Sequence, residues 1–150
     1  MQSFAIHGAG PLMPDALVGL ARSAQAEGVA NVSATIRGWT EGTQRFELPG
    51  ESLLIARDES GQAVGVGGLT LCPHVDGAFR MRRFYVEPAW RRHGVARTLA
   101  RRLLALAAQH TDTVTCNAAA SAAAPLFWES MGFERSEVVG ITHLWRSSHN

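Results

Sequence analysis

Residues Phe84–Arg97 read Phe-Tyr-Val-Glu-Pro-Ala-Trp-Arg-Arg-His-Gly-Val-Ala-Arg, and this run constrains the fold more than any other part of the chain. The aromatic and β-branched stretch Phe79–Val86 has strand character. Glu87–His93 bends through a proline-set turn, and Gly94 stands where a helical pattern begins and runs to His110. Val95, Leu99, Leu103 and Leu106 form its predicted buried stripe, with Arg97 and Arg101 on another face. A short β-branched run, Thr113–Asn117, follows at once. Strand, helix and strand in that order predict a parallel βαβ crossover, which needs a sheet with a helix packed on it.

The remaining elements fit around that unit. Leu53–Arg57 and Ala63–Leu71 read as strands joined by the turn Asp58-Glu59-Ser60-Gly61, and with Phe79–Val86 they predict an antiparallel meander. A helix over about Ala122–Met131 stops at Gly132, and two closing strands near Glu134–Val139 and Ile141–Arg146 hinge on Gly140. The N-terminal third is less patterned. Asp15–Glu27 is helical with Gly28 as a stop, and a weaker helical pattern lies within Val29–Glu47, with loop signals at Gly38 and Gly42. The expectation is one domain over residues 1–150, of α/β (α+β) class. Its sheet is mixed and mostly antiparallel, with about 6–7 strands and about four flanking helices.

Charge is distributed unevenly. The formal net charge is +1, yet all 14 basic residues are arginine. Eight of them fall between Arg80 and Arg102 beside a single acid, Glu87, giving that segment +7; the other 127 residues carry −6. Near-neutrality is therefore a sum of opposites. It excludes a uniformly basic nucleic-acid coat but leaves room for a local polyanion site. The N-terminus lacks a cationic leader region, and the longest uncharged runs, Ser60–Val75 and Thr113–Trp128, are 16 residues each. Both are too short and polar to cross ~30 Å of hydrocarbon. Cys72 and Cys116 lie in apolar stretches and suit free thiols in a reducing compartment. These features predict a cytoplasmic protein with neither a membrane nor a nucleic-acid partner.

The chemistry of Phe84–Arg97 is that of an anion site. A helix N-terminus presents unpaired N–H groups and the positive end of the dipole, which together suit a phosphate. Gly94 and Ala96 keep side chains small, so a ligand can approach the backbone, and the flanking arginines offer charge-assisted contacts. A pyrophosphate-bearing ligand is the natural candidate. The alternative, which the residues favour less, is a solvent-facing, arginine-rich helix start.

The run Arg91-x-x-Gly94-x-Ala96 after Phe84-Tyr85-Val86-x-Pro88 resembles the acetyl-CoA motif of the GNAT N-acetyltransferase superfamily. Ala124-Pro125-Leu126-Phe127-Trp128-Glu129-Ser130-Met131-Gly132-Phe133 resembles that family's penultimate helix with its terminal Gly-Phe pair. The likeness covers roughly Ser52–Arg146 and is strongest over residues 79–133.

It implies acetyl-CoA as co-substrate, a primary-amine acceptor and no metal. Phe84, Tyr85 and Val86 would offer backbone groups to the pantetheine arm at a bulge that splays this strand from Thr113–Asn117. Backbone N–H groups of Arg92, His93, Gly94, Val95, Ala96 and Arg97, with Arg91 beside them, would hold the pyrophosphate. The Val86 N–H would polarise the thioester carbonyl. Ser121 aligns with a cofactor-contacting asparagine of many relatives, or else caps a helix. Trp128 stands where many relatives have a tyrosine that protonates the departing thiolate, and an indole cannot do so.

Two positions where relatives carry a catalytic glutamate hold Arg80 and Cys116. The remaining base candidates are Glu87, His143 and His74, or water; Glu87 reads alternatively as a turn acid balancing Arg91. Trp39, Phe46 and Trp90 are candidates for an acceptor pocket or for core anchors. Gly65-x-Gly67-Gly68 lies within a strand and does not suit a dinucleotide loop. Three functions stay open: an acetyl-CoA-dependent N-acetyltransferase, a non-catalytic acyl-CoA sensor, and a phosphate or nucleic-acid binder. The motifs favour the first.

Overall fold

A computed structural model describes residues 3–10, 13–119 and 121–147. Its sheet has seven strands in the order β1-β2-β3-β4-β5-β7-β6: β1 (Phe4–Gly8), β2 (Ser52–Asp58), β3 (Ala63–Leu71), β4 (Phe79–Val86), β5 (Thr113–Cys116), β6 (Glu134–Arg135) and β7 (His143–Arg146). All neighbours are antiparallel except β4 and β5, the predicted crossover pair. Four α-helices among the described residues flank it: α1 (Met13–Ala26), α2 (Asn31–Glu41), α3 (Val95–Ala107) and α4 (Ala124–Ser130).

Alternation along the strands divides the core in two. Leu53 and Ile55 of β2 face α1 and α2, where Leu17, Leu20, Ala24 and Val32 complete one cluster. Leu54 and Ala56 face α3 and α4, packing with Val95, Leu99, Leu103, Val114, Trp128 and Phe133. Burying Leu99 and Leu103 completely stabilises the fold by roughly 1.5–3 kcal/mol each. Leu106, expected in that stripe, is 38% exposed. Ala107, one residue further round the helix, is buried in its place, because α3 rests on the sheet slightly rotated from the predicted face.

An N-terminal strand absent from the sequence reading, β1, pairs along the edge of β2. The weaker helical pattern within Val29–Glu47 is α2, ended as expected by Gly42 in the left-handed region, while Gly38, read as a loop signal, lies inside the helix. The closing hairpin is much shorter than predicted, because Val138 and Val139 are exposed and pack on neither layer, leaving β6 two residues long.

The glycines of β3 set how closely the layers approach. Ala56 pairs with Gly65 and Arg57 with Ala63, so Val64 is an extra residue. Val64 and Gly65 then both face α3. A Cβ on Gly65 would lie 2.6 Å from Val95 Cγ1. Gly65→Ala is therefore expected to push α3's first turn off the sheet and cost about 1–3 kcal/mol. Urea denaturation measures this, and an unchanged midpoint would contradict so close an approach.

Candidate active site

β4 and β5 pair only at Phe79–Val114 and Arg80–Thr115. From Met81 onward the β5-facing edge of β4 is open. A second bulge lies here: Val66 pairs with Tyr85 and Gly68 with Arg82, which leaves Arg83 and Phe84 opposite Gly67. Arg83 adopts a φ of 65°, the left-handed turn that inserts the extra residue and bends the strand. The bulge reverses the facing of the next two side chains. Phe84 turns to the α3–α4 layer, edge-to-face with Trp128 at 5.0 Å. Tyr85 is buried in the α1–α2 layer.

The ladder shows which backbone groups face the gap. The Glu87 N–H donates to the Val64 carbonyl at 2.9 Å. Antiparallel alternation then directs the N–H and C=O of Val86 away from β3, to the open edge. Two carbonyls there have partners: Asn31 Nδ2 donates to Phe84 O at 2.8 Å, and Arg91 Nε to Val86 O at 3.1 Å. The Val86 N–H faces the same edge.

The strand runs directly into the predicted anion site. Pro88–Trp90 forms a 3-10 turn, Arg92 and Gly94 take φ of 67° and 82°, and α3 begins at Val95. The N–H groups of Val95, Ala96 and Arg97 precede the helix's first returning bond, from Thr98 N–H to Gly94 O at 2.9 Å. A Cβ on Gly94 would meet nothing within 4 Å, so the space ahead of the helix is open. His93 is exposed there, its ring 5.8 Å from that of Trp90. Trp90 packs against Phe4 in the α3 layer and anchors the turn, not an acceptor pocket.

The eight clustered arginines do not act together. Arg91, expected beside the pyrophosphate, commits its guanidinium to Glu27, with NH1 donating to Oε2 at 3.0 Å and NH2 to Oε1 at 2.5 Å. It lies 5.6 Å from the Tyr85 ring centroid, and the Tyr85 hydroxyl donates to the same carboxylate. The acid that balances Arg91 is thus Glu27 and not Glu87. Arg91's hydrogen bonds hold the Glu27 carboxyl below its ordinary value, while burial, then Glu27, push the Tyr85 phenol well up. Tyr85 is the chain's one tyrosine, so no phenol here is poised to give up a proton near neutrality. Arg97 bridges to α4 through Ser130 Oγ at 3.0 Å. Arg101 and Arg102 are exposed.

Sequence reasoning missed Glu27 and Asn31, which tie α1 and α2 to β4. Asn31 is isolated in sequence from the strand it binds, and no local signal pairs residues 53 apart.

The other candidates divide clearly. Cys116 is buried, and burial pushes its thiol up to about 12, far from a working base. His74 sits in the β3–β4 turn against Gly140, at the far end of β4 and roughly 20 Å of strand from Val86. Ser121 is exposed, and the residue at the α4 cap is Ala123, with no side-chain cap bond, so Ser121 does not cap the helix. Trp128 is buried among Phe84, Phe127 and Phe133. Trp39 and Phe46 line a pocket of about 270 Å³ with Arg45, Glu47 and Leu53.

His143 pairs with Cys116 in the ladder, at the level where the gap opens, and is 3% exposed. Its Nε2 lies 2.8 Å from Glu129 Oε2 and its Nδ1 2.8 Å from Thr142 Oγ1. The His143 hydrogen bond holds the Glu129 carboxyl below its ordinary 4.5. Because the folded value is depressed, the contact stabilises the protein above about pH 4.5 and is lost as pH falls through the folded value. Glu129→Gln is expected to lower the melting temperature at pH 7, with wild type and variant converging as pH falls through the depressed folded value of Glu129. A gap that persists in acid would contradict the assignment.

Residues 49–135 match the family model described as an acetyltransferase (GNAT) domain. The chain belongs to the GNAT acetyltransferase family. A protein of Exiguobacterium sp. 255-15, described provisionally as an acetyltransferase, is 21% identical with a TM-score of 0.81, over 96% of this chain and 93% of that one. A GNAT family N-acetyltransferase of Escherichia coli, solved in complex with CoA, is 17% identical with a TM-score of 0.70, over 97% and 82%. A GCN5-related N-acetyltransferase of Kribbella flavida is 17% identical with a TM-score of 0.69, over 94% and 95%. The fold is that of acyl-CoA N-acyltransferases. A comparison with curated protein sequences finds no match. Among the described residues no helix is long and apolar enough to cross a membrane.

Proposed function

We propose that the protein transfers an acetyl group from acetyl-CoA to a primary amine by direct attack in a ternary complex. The observation that carries this is the continuity of the open β4 edge, with its Val86 N–H, into the N–H-rich start of α3 at Gly94. The likeness to a protein solved with CoA supports the choice of ligand.

Acetyl-CoA supplies the thioester that the amine attacks, releasing CoA as the thiol. The chain's part is to bind and orient. Backbone N–H groups of Arg92 through Arg97 hold the pyrophosphate, and Phe84, Tyr85 and Val86 line the path of the pantetheine arm along the open edge. The Val86 N–H polarises the thioester carbonyl. Trp128 shapes the wall near the sulfur. Ser121, on the approach to α4, extends the cofactor surface. A CoA thiol with a pKa of about 8.5, by analogy with cysteine, leaves without a protein acid. A lysine-like amine must lose a proton near pH 7 at a cost of about 4–5 kcal/mol, and Glu87 or water accepts it.

Thiol release from acetyl-CoA with a panel of primary amines tests the proposal. Amine-dependent release is expected; acetyl-CoA binding with no transfer to any amine would favour a sensor instead.

A further inference from the structure

Three arginines of β4 have no part in holding acyl-CoA. Phe79 and Met81 face the α3 core, so Arg80 and Arg82 project from the opposite side of the sheet. Arg80 stands between Thr70 of β3 and Thr115 of β5, the last rung before the gap opens, and Arg82 stands opposite Gly68. Arg83, at the bulge, reaches Gln44 on the same side, its Nε 3.5 Å from Oε1. Arg37 of α2 is close enough to add its charge to that of Arg83.

This cluster is unpaired. Among the described residues no carboxylate forms an ion pair with any of the four. The Nε atoms of Arg80 and Arg82 are buried without a hydrogen-bond partner, and so is the hydroxyl of Thr70, a residue only 3% exposed. Glu51, the acid that acts on Arg82, has its oxygens occupied by the N–H groups of Leu48 and Leu71. Burial first, then the neighbouring arginines, bring Arg82 down to about 10. Half-buried cations without counter-charges are costly, and the attraction of an anion seated among them offsets both the desolvation and the repulsion.

The position matters as much as the charge. Arg82 and Arg83 stand on the rim of the β4–β5 gap, on the face opposite α3 and α4. A second substrate approaching from that face meets them first. Resting on the acetyl-transfer reading above, we propose that the acceptor amine carries an oxyanion, a carboxylate or a phosphate, which Arg80, Arg82, Arg83 and Arg37 bind.

The test uses protein saturated with CoA, so that the α3 site is filled, and titrates in inorganic phosphate and, separately, succinate by calorimetry. At least one is expected to bind, and Arg82→Gln should weaken that binding tenfold or more while leaving CoA affinity within about twofold. Arg83→Gln serves the same purpose should the first variant fold poorly. In turnover, amines bearing a carboxylate or phosphate should exceed their uncharged amide or alcohol counterparts at least tenfold in kcat/KM, an advantage that Arg82→Gln abolishes. A merely structural arginine would not move that ratio. Binding of neither anion, or binding unchanged in both variants, overturns the proposal. Failure of CoA to bind overturns the acetyl-transfer reading instead, and the two titrations of the free protein, with the same variants, still decide the anion site.

Discussion

Gly94→Glu is expected to raise the Kd for acetyl-CoA at least ~100-fold, a loss of about 2.7 kcal/mol in binding. Gly94 has a φ of 82°, and a Cβ built there enters open space at the head of α3. A glutamate would occupy the position proposed for the pyrophosphate and set a negative charge against it. The backbone strain costs roughly 1–2 kcal/mol of stability, so the protein still folds. Gly61→Glu is the matched control. Gly61 also has positive φ and open space around its Cβ, but it lies in the β2–β3 turn, and its replacement should leave acetyl-CoA binding unchanged. Calorimetry on both variants decides; equal affinities would place the phosphates elsewhere.

Trp128→Ala is expected to cost about 3–5 kcal/mol of stability. The indole is 7% exposed and makes edge-to-face contacts with Phe84 at 5.0 Å, Phe127 at 4.9 Å and Phe133 at 5.1 Å. Truncation would leave a cavity where α4 meets the bulged strand. Trp128→Phe keeps most of the packing and removes the indole N–H. Its turnover number should stay within a few-fold of wild type if the thiolate leaves unaided. A drop of 10²-fold or more, the scale of a lost general acid, would instead give the indole a chemical role. Denaturation of the first variant and turnover of the second separate packing from chemistry.

The parts of the fold that were legible are those where hydrophobic period and turn chemistry agree. β3 and β4 begin and end at the predicted residues, because β3 is an apolar run and β4 alternates Phe79 and Met81 with arginines before an aromatic end, and turn residues bound both. β1 was not legible: Phe4-Ala-Ile-His-Gly is short and its side chains are largely exposed, so it lacks a two-sided strand's continuous apolar run. Its pairing with β2 is a tertiary fact. The closing hairpin failed for the opposite reason. Val138 and Val139 have strand propensity but no surface to pack on, and propensity without burial did not extend β6.

In the site, Gly94 and the proline-set turn were readable because a single local segment builds them. The division of the arginine cluster was not. A bulge at Arg83, set by its pairing across Gly67, decides that Tyr85 turns to the α1–α2 layer and Phe84 to the other. Contacts from distant helices then assign Arg91 to Glu27 and leave Arg80 and Arg82 unpaired. One local charge of +7 becomes two separate surfaces, one at the head of α3 and one on the opposite face of β4. A local pattern carries no information about which face a residue takes after a bulge.

The most direct measurement is the melting temperature with and without acetyl-CoA. If acetyl-CoA binds only the folded chain, saturation at ~100 times Kd adds about 2.7 kcal/mol, or roughly 5–11 °C for a chain of this size. A rise of that order, abolished by Gly94→Glu and retained in Gly61→Glu, is the predicted result. No shift with either acetyl-CoA or CoA would contradict an acyl-CoA site at the β4–α3 junction.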